Sequence, residues 1–391
     1  MSPETNTTYT QDRVRSMLTE RDNDIPEFVA SSLGEYCEIT NLIRQQWKYR
    51  VNQRQRANVL LKGYVGEILP WFRGLKNSSF SLTPVLAREW VNYNRINKNT
   101  DSRNIEYKSI YDLEDYYFDR FTRFGRPFIE GSMPMDEIEW NYIMRHHEIP
   151  SRLLDWTKGS LIALSYAVRH SLPNSKSMHP DTTSHHQGPE IDKTLDDAAV
   201  WMLEPRRLME LTTQYLKESA GTRNIASREN EVRAMRRDFF ADPKKECSDE
   251  KLTNRDKGPW DQPGYWDYPL PLIPSHISAR VESHLSRFTL HSLNSFRMES
   301  SNDMPDEDDS LFKFARDAFD DEKQKKMDDG FWYLVKIRLP GPRLRSIART
   351  LRMTGVGDMN FTQDLDGLAR ELKMRAFLGY QDDCESEISQ P

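Results

Sequence analysis

Apolar and aromatic residues recur at helical spacing in four segments of the chain. Residues 26–69, 107–124, 160–170 and 365–372 place them three and four positions apart, with polar residues between them. This spacing is typical of helices that bury one face. Pro70 follows the first segment, and proline cannot continue a helix. We therefore predict helices in all four segments, with the first one ending at Pro70.

Short apolar runs predict strands. Residues 198–203 form a continuous apolar run, and residues 71–74, 288–291 and 331–337 are rich in aromatic and β-branched side chains. Together, the helices and strands predict an α+β fold. We expect a short, mostly antiparallel sheet with flanking helices and long polar insertions.

Changes in composition along the chain predict its organisation. Prolines, serines and charged residues crowd several internal segments that could not pack a core, and the last residues are acidic. The predicted units are a disordered arm at 1–25, an N-terminal helical region at 26–69, a folded unit at 70–372 with insertions at 171–197, 243–257 and 299–330, and a mobile acidic tail at 373–391.

The overall charge limits the classes of function. Lys and Arg number 55 and Asp and Glu number 61, a formal net charge of -6, so the chain has no global positive field for nucleic acid or anionic lipid. No apolar run approaches the length of a membrane span, and residues 1–16 lack the apolar core of a signal peptide. The 3 cysteines lie far apart, which suits a reducing compartment. We expect an intracellular, cytoplasmic protein with no membrane partner and no metal. The sequence makes no strong case for nucleic acid, which could bind only at a local patch of Arg343, Arg345, Arg349 and Arg352 on one helix face; a solvated basic face is the alternative.

Four dense motifs carry the candidate chemistry. They are Trp71-Phe-Arg-Gly74, the segment from His146 to Thr157, the segment 279–289 with its Arg-Val-Glu-Ser-His core, and Asp364-Leu-Asp-Gly-Leu368. In order and spacing these blocks resemble the FRG domain, which is named for its Phe/Tyr-Arg-Gly motif. The family usually has Gln-His-Tyr-Gly-Leu-Pro-Thr-Arg where this chain has Arg-His-His-Glu-Ile-Pro-Ser-Arg at 145–152, and it usually has Gln at the position of His284.

Several of these residues have two interpretations. Arg73 lies at the end of a predicted strand. It either binds a phosphate or carboxylate group of a ligand, or it forms an ion pair with a buried carboxylate of the protein. Arg152 and Asp155 are three residues apart and could pair with each other, and Asp155 also suits the N-cap of the helix at 160. Glu282 alternates with polar neighbours on one face of a predicted strand, which is either a cleft wall or the solvated side of a sheet.

The resemblance extends to ADP-ribosyltransferases of the Arg-Ser-Glu type, and it implies an NAD-dependent ADP-ribosyl-transferring or NAD-cleaving enzyme with an unknown acceptor. Arg73 would hold the NAD phosphate or ribose, His146 or Thr157 would contact ribose hydroxyls, and Glu282 would stabilise the developing positive charge. The implied residues are catalytic Glu282 and His146, and NAD-binding Arg73, Gly74, Arg152, Asp155, Thr157 and His284.

The alternative is a non-catalytic module that binds a nucleotide or phosphate in the same cleft, and a purely structural role comes third. A carboxylate beside Arg73 separates the first two interpretations. Catalysis is favoured if Glu282 or Asp155 faces the pocket of Arg73, and binding is favoured if both are held in structural ion pairs.

Overall fold

A computed structural model provides the structure of the protein. It describes residues 18–22, 25–57, 69–98, 107, 110–129, 137–171, 195–209, 269–274, 285–291, 333–357, 360 and 365–378. All structural statements below refer to these residues.

The described residues form eight strands and a set of flanking helices. The strands are β1 (Leu18–Asp22), β2 (Ile25–Val29), β3 (Trp71–Leu75), β4 (Leu153–Thr157), β5 (Ala198–Leu203), β6 (Leu270–Leu272), β7 (Ser286–Leu290) and β8 (Leu334–Leu339). The helices are α1 (Leu33–Ala57), α2 (Val85–Lys98), α3 (Ile110–Gly125), α4 (Glu137–His146), α5 (Ser160–Ser171), α6 (Leu344–Met353) and α7 (Leu365–Leu378), with 3-10 turns at Arg126–Phe128 and Gly341–Arg343.

All eight strands belong to one sheet in the order β1-β2-β8-β5-β3-β4-β7-β6. The β2–β8 pair is parallel, and every other neighbouring pair is antiparallel. The prediction of an α+β fold with a mostly antiparallel sheet is therefore confirmed. The likeness to the ADP-ribosyltransferase fold stays a prediction.

The centre of the sheet is apolar because β5 is apolar. All six residues of β5 are buried, and the strand pairs along its whole length with β8 on one side and β3 on the other. Helix α5 packs on β3 and β5, and α6 packs against α5 and α1. A strand buried in this way needs a continuous apolar run, and this run made β5 predictable.

A second group of helices approaches the sheet at β4. Helix α2 contacts α3, α3 contacts α4, and α4 contacts β4. Leu86 and Ala87 of α2 and Ile110 and Leu113 of α3 form a small core of their own. The group brings polar residues of α2 and α4 to the β3–β4 region, where the candidate site lies.

The structure corrects three boundaries. The predicted disordered arm contains strand β1, and the predicted helical region at 26–69 begins with strand β2 before α1 starts at Leu33. Strand β1 pairs with β2, and β2 pairs with the distant strand β8. Because these are main-chain contacts with residues far away in the sequence, no local pattern of apolar side chains indicates them. At the other end, α7 continues to Leu378, into the predicted tail.

Other predicted elements agree with the structure. Helices are found over 110–125 and 160–171, and strands over 71–75 and 198–203. The strand predicted at 331–337 overlaps the observed strand Leu334–Leu339, and residues 331–332 lie outside the described residues. Most residues of the three predicted insertions lie outside the described ranges. Among the described helices, none combines the length and apolar character needed to cross a membrane.

Candidate functional site

Arg73 joins the neighbouring strands β3 and β4. The ladder between them contains one pair, Phe72 with Thr157. Nη1 of Arg73 donates to the main-chain oxygen of Asp155 at 2.7 Å and to its Oδ2 at 2.9 Å. The guanidinium therefore supplies a hydrogen bond to a strand carbonyl where the ladder is short, and it also forms an ion pair with the side chain of the same residue.

Asp155 receives a second arginine from α4. Nε of Arg145, which lies in the last turn of that helix, donates to Oδ1 of Asp155. One carboxylate thus holds two guanidinium groups that come from different elements of the fold. Burial by itself raises the pKa of Asp155, but the charges and hydrogen bonds of Arg145 and Arg73 lower it well below its usual value. Asp155 is ionised at neutral pH.

The carboxylate is more accessible than the arginines that hold it. The relative solvent-accessible area of the side chain is 40% for Asp155, 13% for Arg73 and 16% for Arg145. The two guanidinium groups are packed into the protein, and the Asp155 side chain between them is half-exposed.

A third arginine comes from α2. Desolvation by surrounding atoms, together with the positive charges of Arg73 and Arg145, lowers the pKa of Arg88, while the Asp155 carboxylate raises it. Arg88 is therefore close enough for its pKa to respond to the charges of Arg73, Arg145 and Asp155, and its side chain is exposed. We call Arg73, Arg88, Arg145 and Asp155 the arginine cluster. The three guanidinium groups give the cluster donors for an anion, and the carboxylates of Glu89 and Glu148 offset part of its positive charge.

A neutral histidine lies near the cluster. His291, directly after β7, is fully buried, and burial and the positive charge of Arg73 lower its pKa to about 3. Its Nε2 lies 3.0 Å from Oγ1 of Thr289, and this oxygen accepts a 3.0 Å hydrogen bond from Nε1 of Trp156. His291 therefore adds no charge at neutral pH, and Trp156 is engaged in the core.

Gly74 has a packing role. A Cβ atom at this position would lie 2.0 Å from the main-chain oxygen of Ala163 and 2.8 Å from the main-chain nitrogen of Ala167. Both atoms belong to α5, so the helix backbone occupies the space of a side chain. The glycine of the Arg-Gly motif lets α5 approach β3, a different role from the predicted contact with NAD.

The predicted Arg152–Asp155 pair is wrong. Nε and Nη2 of Arg152 donate to the two carboxylate oxygens of Glu114 at 2.8 and 2.5 Å, and both side chains are nearly buried. This bidentate pair ties α3 to the segment before β4. Asp155 lies within β4, so the prediction that it caps the helix at 160 is also wrong.

Thr157 and His146 lie at the ends of elements next to the cluster. Oγ1 of Thr157 accepts a 3.0 Å hydrogen bond from the main-chain nitrogen of Gly159, which shapes the turn between β4 and α5. His146 ends α4, and its ring packs edge-on against that of His147 at 5.2 Å. Glu282 and His284 lie outside the described residues, so their predicted roles stay predictions.

The sequence interpretation missed three residues near the site: Arg88, Arg145 and His291. Arg145 offered a signal, because it replaces the glutamine that is usual in the family and so adds a charge next to the motif. Arg88 follows the first motif, and His291 ends a predicted strand, but neither spacing indicates the neighbours that the fold supplies. Within the described ranges, no group of three or more His, Cys, Asp or Glu side chains could hold a metal ion.

Residues 70–176 match the family model of the FRG domain, so the chain contains an FRG domain. The matched range includes the whole arginine cluster. No curated protein and no solved structure matches the chain.

Proposed function

We propose that the FRG domain binds the phosphate groups of a nucleotide at the arginine cluster. The observation that carries the proposal is a group of three arginines around one carboxylate: Arg73 and Arg145 bind Asp155, and Arg88 is close enough for its pKa to respond to their charges. Guanidinium groups are well suited to phosphate, because their parallel N–H donors match two phosphate oxygens.

The internal carboxylate supports a binding role. Asp155 holds Arg73 and Arg145 in defined positions before any ligand arrives, so little side-chain entropy is lost on binding. Arg88 is exposed, so a phosphate arriving from solvent would contact it before the less exposed Arg73 and Arg145.

NAD and ADP-ribose are the leading candidates for the nucleotide. The resemblance of the domain to ADP-ribosyltransferases motivates this choice, since those enzymes use an arginine on the first strand of the site to bind NAD. Both candidates contain a pyrophosphate, which the cluster would hold.

Cleavage of NAD is the second candidate. Asp155 is ionised and its side chain is half-exposed, so a carboxylate beside Arg73 could stabilise positive charge on the ribose. The bond from the ribose carbon to nicotinamide would break, nicotinamide would leave with the electron pair, and water or an acceptor would add and lose a proton. Two guanidinium groups already neutralise Asp155, and this favours binding over cleavage.

Isothermal titration calorimetry with ADP-ribose, NAD and inorganic pyrophosphate tests the proposal. Arg88 is exposed, so Arg88→Gln should fold normally, and we expect it to weaken binding of all three ligands about tenfold or more. Arg343→Gln removes an exposed arginine beside α6 and is the matched control, with no change expected. Equal affinities in wild type and Arg88→Gln, or no binding of any of the three ligands, would refute the proposal.

A separate assay tests cleavage. Nicotinamide release from NAD is followed chromatographically with the wild-type protein and with Arg88→Gln. Release that depends on Arg88 supports the second candidate, and binding without release supports the first.

A further inference from the structure

The C-terminal half of α3 and the turn after it expose large aromatic side chains. Tyr116, Phe124 and Phe128 keep 43%, 60% and 82% of their surface in solvent. Side chains of this size are usually buried, and a group of exposed ones marks an interaction surface. We call this surface the aromatic–arginine face. It consists of Tyr116, Arg120, Arg123, Phe124, Arg126 and Phe128.

The positive charges of the face lie at the C-terminal end of α3 and in the turn after it, whereas exposed Asp112, Asp115 and Asp119 lie earlier in the same helix. Residues 120–128 read Arg-Phe-Thr-Arg-Phe-Gly-Arg-Pro-Phe, with three arginines and no acidic residue, whereas the whole chain has a net charge of -6. All three arginines are exposed. Arg123 pairs with Asp119 at 2.9 Å, but both side chains are mostly in solvent, so a phosphate can compete with that carboxylate.

Rings and guanidinium groups alternate along the face. Tyr116, Arg120 and Phe124 are spaced four residues apart in one helix, so they lie on one side of it. The guanidinium carbon of Arg120 is 5.8 Å from the ring centre of Tyr116 and 5.9 Å from that of Phe124. Stacked cation and ring groups of this kind present flat apolar surfaces and positive charge together.

We propose that the aromatic–arginine face binds single-stranded nucleic acid. Unpaired bases would stack on the exposed rings, and the phosphates between them would contact the guanidinium groups, a combination that tolerates many sequences. A duplex hides the faces of its bases and would leave Phe124 and Phe128 in water. An acidic peptide would satisfy the arginines but would not use the rings.

The face also lies beside the arginine cluster. Phe121 of α3 contacts the ring of His147 with 6.2 Å between the ring centres, and His147 is two residues after Arg145. Helix α3, which carries the face, therefore packs near the end of α4 that carries Arg145. The two proposals concern different residues, and each can fail without the other.

Fluorescence anisotropy with a labelled oligothymidylate of about 20 nucleotides tests the proposal. The double variant Phe124→Ala/Phe128→Ala should weaken binding about tenfold or more, because each lost ring removes a stacking platform. Arg123→Gln should lower the slope of log K against log salt by about 0.7 between about 50 and 200 mM salt. Leu372→Ala, an exposed leucine on α7, and Arg343→Gln are the matched controls and should not change affinity.

The circular dichroism spectrum of the double variant should match that of wild type, as expected for an intact fold. Its calorimetric affinity for pyrophosphate should also be unchanged, as expected for an intact arginine cluster. Three outcomes would overturn the proposal: no binding of the oligonucleotide, equal binding by wild type and the double variant, or equal affinity for polyglutamate or for a duplex of the same length. Self-association that disappears in the double variant, without oligonucleotide binding, would also overturn it.

Discussion

Replacing Asp155 with asparagine separates two effects of this carboxylate, which stabilises the fold but reduces the positive charge of the arginine cluster. Asp155→Asn keeps the size of the side chain and its ability to accept one hydrogen bond from Arg73. It removes the negative charge that Arg73 and Arg145 share. We expect the variant to be less stable than wild type and to bind pyrophosphate more tightly.

The loss of stability follows from the geometry. Hydrogen bonds to charged groups contribute about 1.5–3 kcal/mol. The contribution here is smaller because the carboxylate keeps 40% of its exposure and its ion pairs are partly screened. Asparagine also retains one acceptor. We expect the free energy of unfolding to fall by about 1–2 kcal/mol, which lowers Tm by about 2–8 °C in a domain of this size.

The gain in affinity follows from Coulomb's law. Two unit charges about 4 Å apart interact by about 1 kcal/mol in water, so removing the carboxylate beside the phosphate site should tighten pyrophosphate binding about fivefold. The effect should weaken at high salt, because the site is open to solvent.

The stability difference depends on pH in a defined direction. The pKa of Asp155 is lower in the folded protein than in the unfolded chain, where it is about 3.9. Such a group stabilises the fold fully above the unfolded pKa and loses this effect as pH falls through the folded pKa. The difference between wild type and Asp155→Asn should therefore be full at pH 7 and shrink below about pH 4.

Differential scanning fluorimetry, urea unfolding and pyrophosphate titration of the two proteins check these expectations. Asp119→Asn is the matched control, since it removes an exposed carboxylate that also pairs with an arginine. A folded Asp155→Asn protein that binds pyrophosphate more weakly than wild type would refute the reasoning. The positioning of Arg73 and Arg145 by Asp155 would then matter more for binding than the negative charge that it adds.

Two further predictions concern the fold around the site. Gly74→Ala should destabilise the protein by about 1–3 kcal/mol or more in urea unfolding, because the new methyl meets the backbone of α5, and an unchanged midpoint would contradict this packing. In a double-mutant cycle, Arg152→Ala and Glu114→Ala should show a coupling of about 1–3 kcal/mol, because their bidentate pair is nearly buried. The exposed Arg123–Asp119 pair should couple by only about 0.3–0.5 kcal/mol, and equal couplings would show that burial does not strengthen the first pair.

The sequence by itself determined where most regular elements lie. Continuous apolar residues at 198–203 predicted the buried strand β5, and apolar spacing at 160–170 predicted α5. These elements were predictable because burial of a strand or of one helix face imposes a pattern on neighbouring residues. The Arg-Gly motif likewise pointed to the domain that the family model matches over residues 70–176.

The tertiary structure determined which charged side chains form ion pairs. The sequence allowed a pair between Arg152 and Asp155, three residues apart, but Arg152 binds Glu114, 38 residues earlier, and Asp155 binds Arg73, 82 residues earlier. Ion pairs form between side chains that are close in space, and sequence spacing indicates such neighbours only within one helix or turn. The approach of α4 to β4 brings Arg145 to the same carboxylate, and α2 places Arg88 near enough for its pKa to respond to that charge. The arginine cluster is therefore a product of the fold, although each of its residues is visible in the sequence.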